Sequence, residues 1–342
     1  MIEYYLKKAI IREMTVINGI EIDIYNTSID ETKQAILINE PLDTTLHVIA
    51  VISNPCQFAR RYILAREFVK RMEREENIRL YFVELAYGKQ DFHITDKKNP
   101  RHLQLRTDTP LWHKENMINI GIKRLLPPTW KAVAWIDADI EFENACWGSD
   151  ALKILNGSKD IVQLFSHAVD MNKDGDALSI FPSFGFQYNK KRVYSTGINM
   201  WHPGYAWACT RRAYEKMGGL YELSILGAGD HNMSFSLIGN YAKSLNEETT
   251  DEYKESLELF QKRAQHLRLG YVPGVIRHHF HGSKKNRKYS ERWQILVRNA
   301  YNPTLHVTRN KDGILIPTKE CPPGIITDIY TYFAERNEDE GY

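Results

Sequence analysis

The amino-acid sequence predicts an α/β fold whose central sheet is mostly parallel and flanked by helices. Residues 46–52 (LHVIAVI) are apolar on both faces, as a strand covered by helices on each side must be. Comparable runs recur at 78–85, 131–136 and 160–165. Between them lie segments whose apolar residues return at helical spacing, and this alternation of strand and helix argues for parallel βα units.

Taken in order, residues 1–44 read as an N-terminal extension or edge ribbon, with Asn18-Gly19 marking a hairpin between alternating segments. The strand at 46–52 stops at Ser53-Asn54-Pro55. There Asn54 can cap a helix and Pro55 can take its first position, with Phe58, Tyr62, Ala65, Val69 and Met72 forming the apolar stripe. After the strand at 78–85, Thr109-Pro110 opens a second helix bearing Ile118, Ile122 and Leu125, which Pro127-Pro128 ends. The strand at 131–136 runs straight into Asp137-Ala138-Asp139. Residues 181–231 are rich in aromatics and glycines, and a charged helix spans 250–269 with Gly270 as its stop. Residues 271–277 lead as a strand into a histidine cluster. A hairpin at 310–313 then precedes a last helix carrying Ile326, Ile329, Tyr330 and Phe333.

Composition excludes several classes. The 342 residues are 43% hydrophobic and 26% charged, enough apolar material for a large core and too much for a disordered tail. Forty-five basic against 43 acidic residues leave +2, so no whole-molecule field points to nucleic acid or an anionic membrane. Cys56, Cys146, Cys209 and Cys321 are far apart, which fits reduced thiols and excludes a zinc ribbon. With no signal-like or membrane-spanning apolar run, the expectation is a soluble, cytoplasmic protein without membrane insertion.

The sharpest chemical feature is Asp137-Ala138-Asp139, two carboxylates closing an apolar strand. In open α/β sheets ligands gather at the carboxyl ends of strands, and a paired carboxylate there suits a hard divalent cation carrying phosphate oxygens. An acidic turn capping a helix is the plain alternative. Lys114, in Lys114-Glu115-Asn116-Met117-Ile118-Asn119-Ile120-Gly121, reads on its own as a solvated helix residue. Gly227-Ala228-Gly229-Asp230 opens a short helix on which Asp230 can accept a proton or simply cap. In residues 276–289 (IRHHFHGSKKNRKY), strand alternation puts His279 and His281 on one face and His278 on the other. A zinc site and a solvated basic loop are the alternatives there. Residues 199–208 supply Trp201, Tyr205 and Trp207 of the kind that shape sugar pockets, and a packed core explains Trp207 equally well.

The order of these elements resembles the family-2-like glycosyltransferases of the GT-A fold: K-x-x-x-x-N-x-G, a strand ending D-x-D, a glycine-rich turn with an acid, then a late His-Gly-Ser-Lys-Lys stretch. Its combination with Trp130 to Asp139 looks like enzymes of bacteriophages and large DNA viruses, whose cytoplasm would be the host's. The resemblance implies a GT-A catalytic domain at 45–290, with a nucleotide-sugar half (45–166), an acceptor half (167–290) and a C-terminal hairpin-and-helix extension at 291–342. It implies a hexosyltransferase using a nucleotide-diphosphate sugar, a UDP-sugar foremost, and Mn²⁺ or Mg²⁺. Asp139 and His281 would hold the metal with Asp137 beside them, and His279 would be the fallback ligand. Asn54, Lys114, Asp137, Asp139, Lys284, Lys285 and Arg287 would bind the nucleotide-sugar. Asp230 would be the catalytic base, with Trp201 and Tyr205 at the acceptor, a glycan or a hydroxymethylated DNA base. The family often has two consecutive acids where this chain has Asp230 alone. Against this stand a non-catalytic binding protein on the same fold, a zinc-dependent hydrolase, which lacks H-E-x-x-H here, and a sugar-phosphate nucleotidyltransferase, whose phosphate loop would need glycines that residues 53–61 lack.

Overall fold

The computed structural model describes residues 44–190 and 201–340, together with four short strands before residue 29. Those four are β1 (Ile10–Ile11), β2 (Met14–Ile17), β3 (Ile20–Asp23) and β4 (Thr27–Ser28). β2 and β3 pair antiparallel with Ile17 opposite Ile20, the geometry of a two-residue hairpin whose Asn18-Gly19 tip lies outside the described residues.

The chain continues as β5 (Leu46–Ser53), α1 (Ala59–Met72), β6 (Ile78–Tyr87), β7 (His102–Thr107), α2 (Lys114–Leu125), β8 (Ala132–Ile136) and β9 (Ile140–Phe142). Then come α3 (Trp147–Gly157), β10 (Ile161–Gln163), β11 (His167–Met171), β12 (Ala177–Pro182), α4 (Phe184–Asn189), β13 (Ala206–Thr210), α5 (Arg211–Met217) and α6 (Gly229–Leu237). The last stretch holds α7 (Asp251–Ala264), β14 (Leu269–Tyr271), β15 (Val275–His278), α8 (Trp293–Arg298), the hairpin β16 (Val307–Arg309) and β17 (Leu315–Pro317), and α9 (Pro323–Glu335).

Seven strands form the central sheet in the order β14-β10-β13-β8-β5-β6-β7. All are parallel except β13, which runs antiparallel to both β8 and β10. The mixed α/β architecture with a mostly parallel central sheet is the one the sequence predicts. Strand alternation divides the core in two: Val48, Ala50 and Ile52 of β5 face α1 and α3, whereas Ile49 faces the layer of α2, α7 and α9. The C-terminal helix thus packs into the main core, through Ile325, Ile329, Tyr332 and Phe333. A second sheet, β12-β11-β15-β9, stands beside the carboxyl end of β8.

Local departures from the expected boundaries have physical causes. α1 starts at Ala59 because residues 54–57 form a turn, with Gln57 at φ 55° and the Asn54 amide spanning Phe58 N (3.0 Å) and Phe58 O (2.8 Å). α2 begins at Lys114, since Trp112 N donates to Ile225 O and holds the preceding backbone out of the helix. α7 ends at Ala264, and Gly270 pairs within β14 instead of stopping the helix. In the last helix Ile325 and Tyr332 are buried where Tyr330 is exposed. Among the described residues, no helix is long and apolar enough to cross a membrane.

Candidate active site

The carboxyl ends of β5 and β8 open into a cavity of about 1140 Å³. Because β13 is antiparallel, its first residues reach the same rim, where Asp137 N donates to Tyr205 O at 2.8 Å. Asn54, Asp137, Asp139, Trp201, Tyr205, Asp230, His281, Lys284 and Arg287 all line the cavity, and so does Lys114 from the start of α2. Lys285 is exposed and lies outside the lining.

Asp139, His278 and His281 converge on one point at the cavity wall, with ligand atoms within 4.8 Å of one another. Asp139 Oδ2 is 2.9 Å from His281 Nε2 and 3.9 Å from His278 Nε2, and the two Nε2 atoms are 3.3 Å apart. Each imidazole turns its other nitrogen to a buried carboxylate: His278 Nδ1 to Asp170 Oδ1 (2.9 Å) and His281 Nδ1 to Glu338 Oε2 (3.2 Å). A carboxylate only accepts, so each Nδ1 carries a proton; Arg287 Nη2, which only donates, lies 2.8 Å from His281 Nε2 and leaves that nitrogen the acceptor, and the Nε2 atoms of both rings face Asp139. Asp139 Oδ1 is buried with no hydrogen-bond partner. Convergent lone pairs and an orphaned carboxylate oxygen are what a cation would satisfy, so these residues fit a divalent metal. Burial disfavours the Asp139 anion, but the side chains of His281, His278 and Arg287 around it outweigh that and hold the carboxyl far below its ordinary range. Burial pushes the His278 imidazole down, with Asp170 opposing, which favours the neutral ring that ligation needs.

The alternation expected for the histidines is overturned. β15 ends at His278, the chain turns through Gly282 at φ 83°, and His279 faces Glu141 Oε2 at 3.2 Å, away from the cluster. His278, expected to point elsewhere, faces Asp139 instead.

Lys114 Nζ sits between two carboxylates, 2.6 Å from Asp137 Oδ1 and 3.0 Å from Asp230 Oδ2. Burial would lower its pKa, but Asp137, Asp230 and Glu115 raise it well above the ordinary lysine value and keep it cationic. Burial pushes the Asp137 carboxyl up to about 6; Lys114 pulls it down, and Asp139 and Asp230 add to the rise. The glycine-rich turn before Asp230 is a packing device. A Cβ on Gly229 would fall 2.3 Å from Glu115 Oε1, and Ala228 takes a left-handed φ of 73°. The other members of the α2 motif are structural too. Asn119 ties Leu220 and Tyr214, and Gly121 lets the helix approach Val83, whose Cγ2 would be 2.8 Å from an added Cβ.

Lys284 is ion-paired with Asp170 and lies over the Phe181 ring. Arg287 Nη2 reaches His281 Nε2 at 2.8 Å, and its Nη1 donates to the Tyr289 hydroxyl at 3.2 Å. Tyr205 is buried with its hydroxyl 3.3 Å from Asp170 Oδ1 and its ring stacked on His202 at 3.9 Å, so it supports the partner of His278. Trp201 stands edge-on to Phe184, Phe235 and His231 and keeps a face on the cavity.

Among the cavity residues that sequence reasoning misses are Arg61, Arg336 and Glu338. Glu338 pairs with Arg61 Nη2 at 2.8 Å and with Arg336 Nε at 2.6 Å. Within Arg336-Asn337-Glu338-Asp339 no local pattern separates it from a solvated acidic tail.

No protein-family model and no curated protein matches the sequence. Solved structures similar to the chain include the catalytic domain of Drosophila β1,4-galactosyltransferase 7 with xylobiose, at 10% identity and a TM-score of 0.37 over 83% of this chain and 98% of that one. A nucleotide-diphospho-sugar transferase named for Desulfovibrio desulfuricans G20 follows at 11% identity and TM-score 0.29, over 68% and 81% of the two chains. S. aureus TarS follows at 13% and 0.34, over 74% and 65%. At these values the functional argument rests on the site itself.

Proposed function

We propose that the chain is a metal-dependent glycosyltransferase of the GT-A kind, moving a hexose from a nucleotide-diphosphate sugar to an acceptor hydroxyl. The observation that carries this reading is that an O,N,N cation site and a second acid, Asp230, line one cavity. Asp139, His278 and His281 would hold the cation. Two imidazoles beside one carboxylate suit Mn²⁺ over Mg²⁺. Bound there, it would act as a Lewis acid on the donor diphosphate.

The chain's own groups supply the rest. Lys284 and Arg287 meet the negative charge that grows on the leaving diphosphate, the arginine by a bidentate fork. Asp137 holds the nucleoside end, whereas Asn54, expected there as well, is buried with both ends of its amide on the Phe58 backbone and shapes the turn beside it. Asp230 takes the proton from the attacking hydroxyl, a role worth about 10²- to 10⁴-fold, and Lys114 keeps that carboxylate in place. Trp201 offers an aromatic face to the acceptor.

The donor is a UDP-sugar on this reading, and the acceptor a glycan or a hydroxymethylated DNA base, the latter only because the order of the motifs resembles that of phage and large-virus enzymes. A panel of nucleotide-sugars with Mn²⁺, monitored for nucleoside-diphosphate release with plain DNA, hydroxymethylcytosine DNA and simple saccharides, tests it. Donor turnover should vanish in Asp139→Ala with the fold retained by circular dichroism. Full turnover in that variant, or none with any donor in the parent, overturns the proposal.

A further inference from the structure

We infer that Glu338, which touches no reacting group, is a positioning residue for the cation site and acts through His281. This rests on reading Asp139, His278 and His281 as that site. Glu338 is 1% exposed, and its carboxylate lies 3.2 Å from His281 Nδ1. With Arg287 Nη2 donating to Nε2 at 2.8 Å, it fixes the tautomer that carries its proton on Nδ1 and turns an unprotonated Nε2 towards Asp139, as Asp170 receives the Nδ1 proton of His278 from within the second sheet. The two imidazoles are thus oriented by carboxylates from different parts of the chain, 108 and 57 residues away.

Two features hold Glu338 there besides its own pairs with Arg61 and Arg336. The next residue, Asp339, accepts from Ala59 N (2.9 Å) and Arg60 N (2.8 Å). It caps α1, whose own cap residue Phe58 contributes no side-chain bond. On the other side Gly282 leaves room for the segment. A Cβ there would lie 3.0 Å from Glu338 Cα, 3.1 Å from Asn337 O and 3.2 Å from Arg336 O. The backbone at 336–338 thus rests directly on the turn that carries His281, and any movement of this segment shifts the imidazole's partner.

The test uses the full chain and Mn²⁺ alone. Free Mn²⁺ is measured by electron paramagnetic resonance during titration of the parent, Asp139→Ala and Glu338→Gln, and histidine tautomers of the metal-free proteins are read by long-range ¹H–¹⁵N spectra. Glu338→Gln should raise the Mn²⁺ dissociation constant about 10- to 100-fold and remove the single Nδ1–H tautomer of His281. Unchanged affinity, or an unchanged tautomer, in the folded variant overturns the inference. If removing the charge between two arginines prevents folding, Glu338→Asp retains it and withdraws the oxygen from Nδ1, with the same outcomes deciding. Absence of Mn²⁺ binding in the parent would defeat the cation reading itself, and the tautomer spectra would still decide whether Glu338 orients His281.

Discussion

Lys114 and Asp230 meet at 3.0 Å across 116 residues of sequence, and the same ammonium lies 2.6 Å from Asp137. One cation therefore joins the end of β8 to the start of α6. In Lys114→Met the two carboxylates lose the charge between them. The variant should lose roughly 3 kcal/mol of stability in urea unfolding and about 100-fold or more in kcat/KM for sugar transfer. A variant of native stability and turnover would show that the ammonium holds neither acid.

His278 and His279 are neighbours with different surroundings, one facing Asp139 and the other Glu141. His278→Ala should weaken Mn²⁺ at least tenfold, whereas His279→Ala should leave the dissociation constant within twofold. Isothermal titration with Mn²⁺ compares them directly, and the reverse order would restore simple strand alternation through residue 281.

Gly282 adopts φ 83° against the backbone of residues 336–338, and Gly175 adopts φ 87° with nothing within 4 Å of an added Cβ. Both alanine variants should lose about 1–2 kcal/mol from backbone strain. Only Gly282→Ala should also weaken Mn²⁺ binding. Equal metal affinity in the two would uncouple the turn from the cation site.

Away from the cavity, Asp160 accepts from Arg268 N and Nε at 2.9 Å and from its Nη2 at 2.8 Å. Burial raises the Asp160 pKa, but these bonds, led by the Arg268 side chain, bring it below the ordinary value. A carboxyl whose folded pKa is depressed stabilises fully above its unfolded pKa, near 3.9, and loses that contribution as pH falls through the folded value. Asp160→Asn should therefore cost roughly 2 kcal/mol at pH 7, and the gap to the parent should close as urea melts are repeated towards pH 3. A constant gap across that range would assign the loss to packing.

The parallel strands are legible because each is apolar on both faces. The Asp137 to Asp139 turn is legible because carboxylates rarely close such a strand without purpose. What periodicity cannot reveal is where it stops. One residue of extra strand would have kept His279 beside His281, and the end of β15 at His278 instead selects a different pair. Asp170 and Glu338 are illegible for another reason. Neither stands in a local pattern that marks it, and its meaning comes from an imidazole 108 or 57 positions away that only tertiary pairing supplies. Asn119 and Gly121 show the converse, since a motif read as one unit with Lys114 divides into a cavity residue and two packing residues.

Arg61 and Glu338 are paired across 277 residues, so closing that contact requires nearly the whole chain to be in place. Contacts of such separation carry the largest loop-closure cost and form late in folding. Cation affinity then becomes a clock for maturation: during refolding, tight Mn²⁺ binding should emerge after the sheet's circular dichroism has recovered, separating chains that are merely compact from those that are complete.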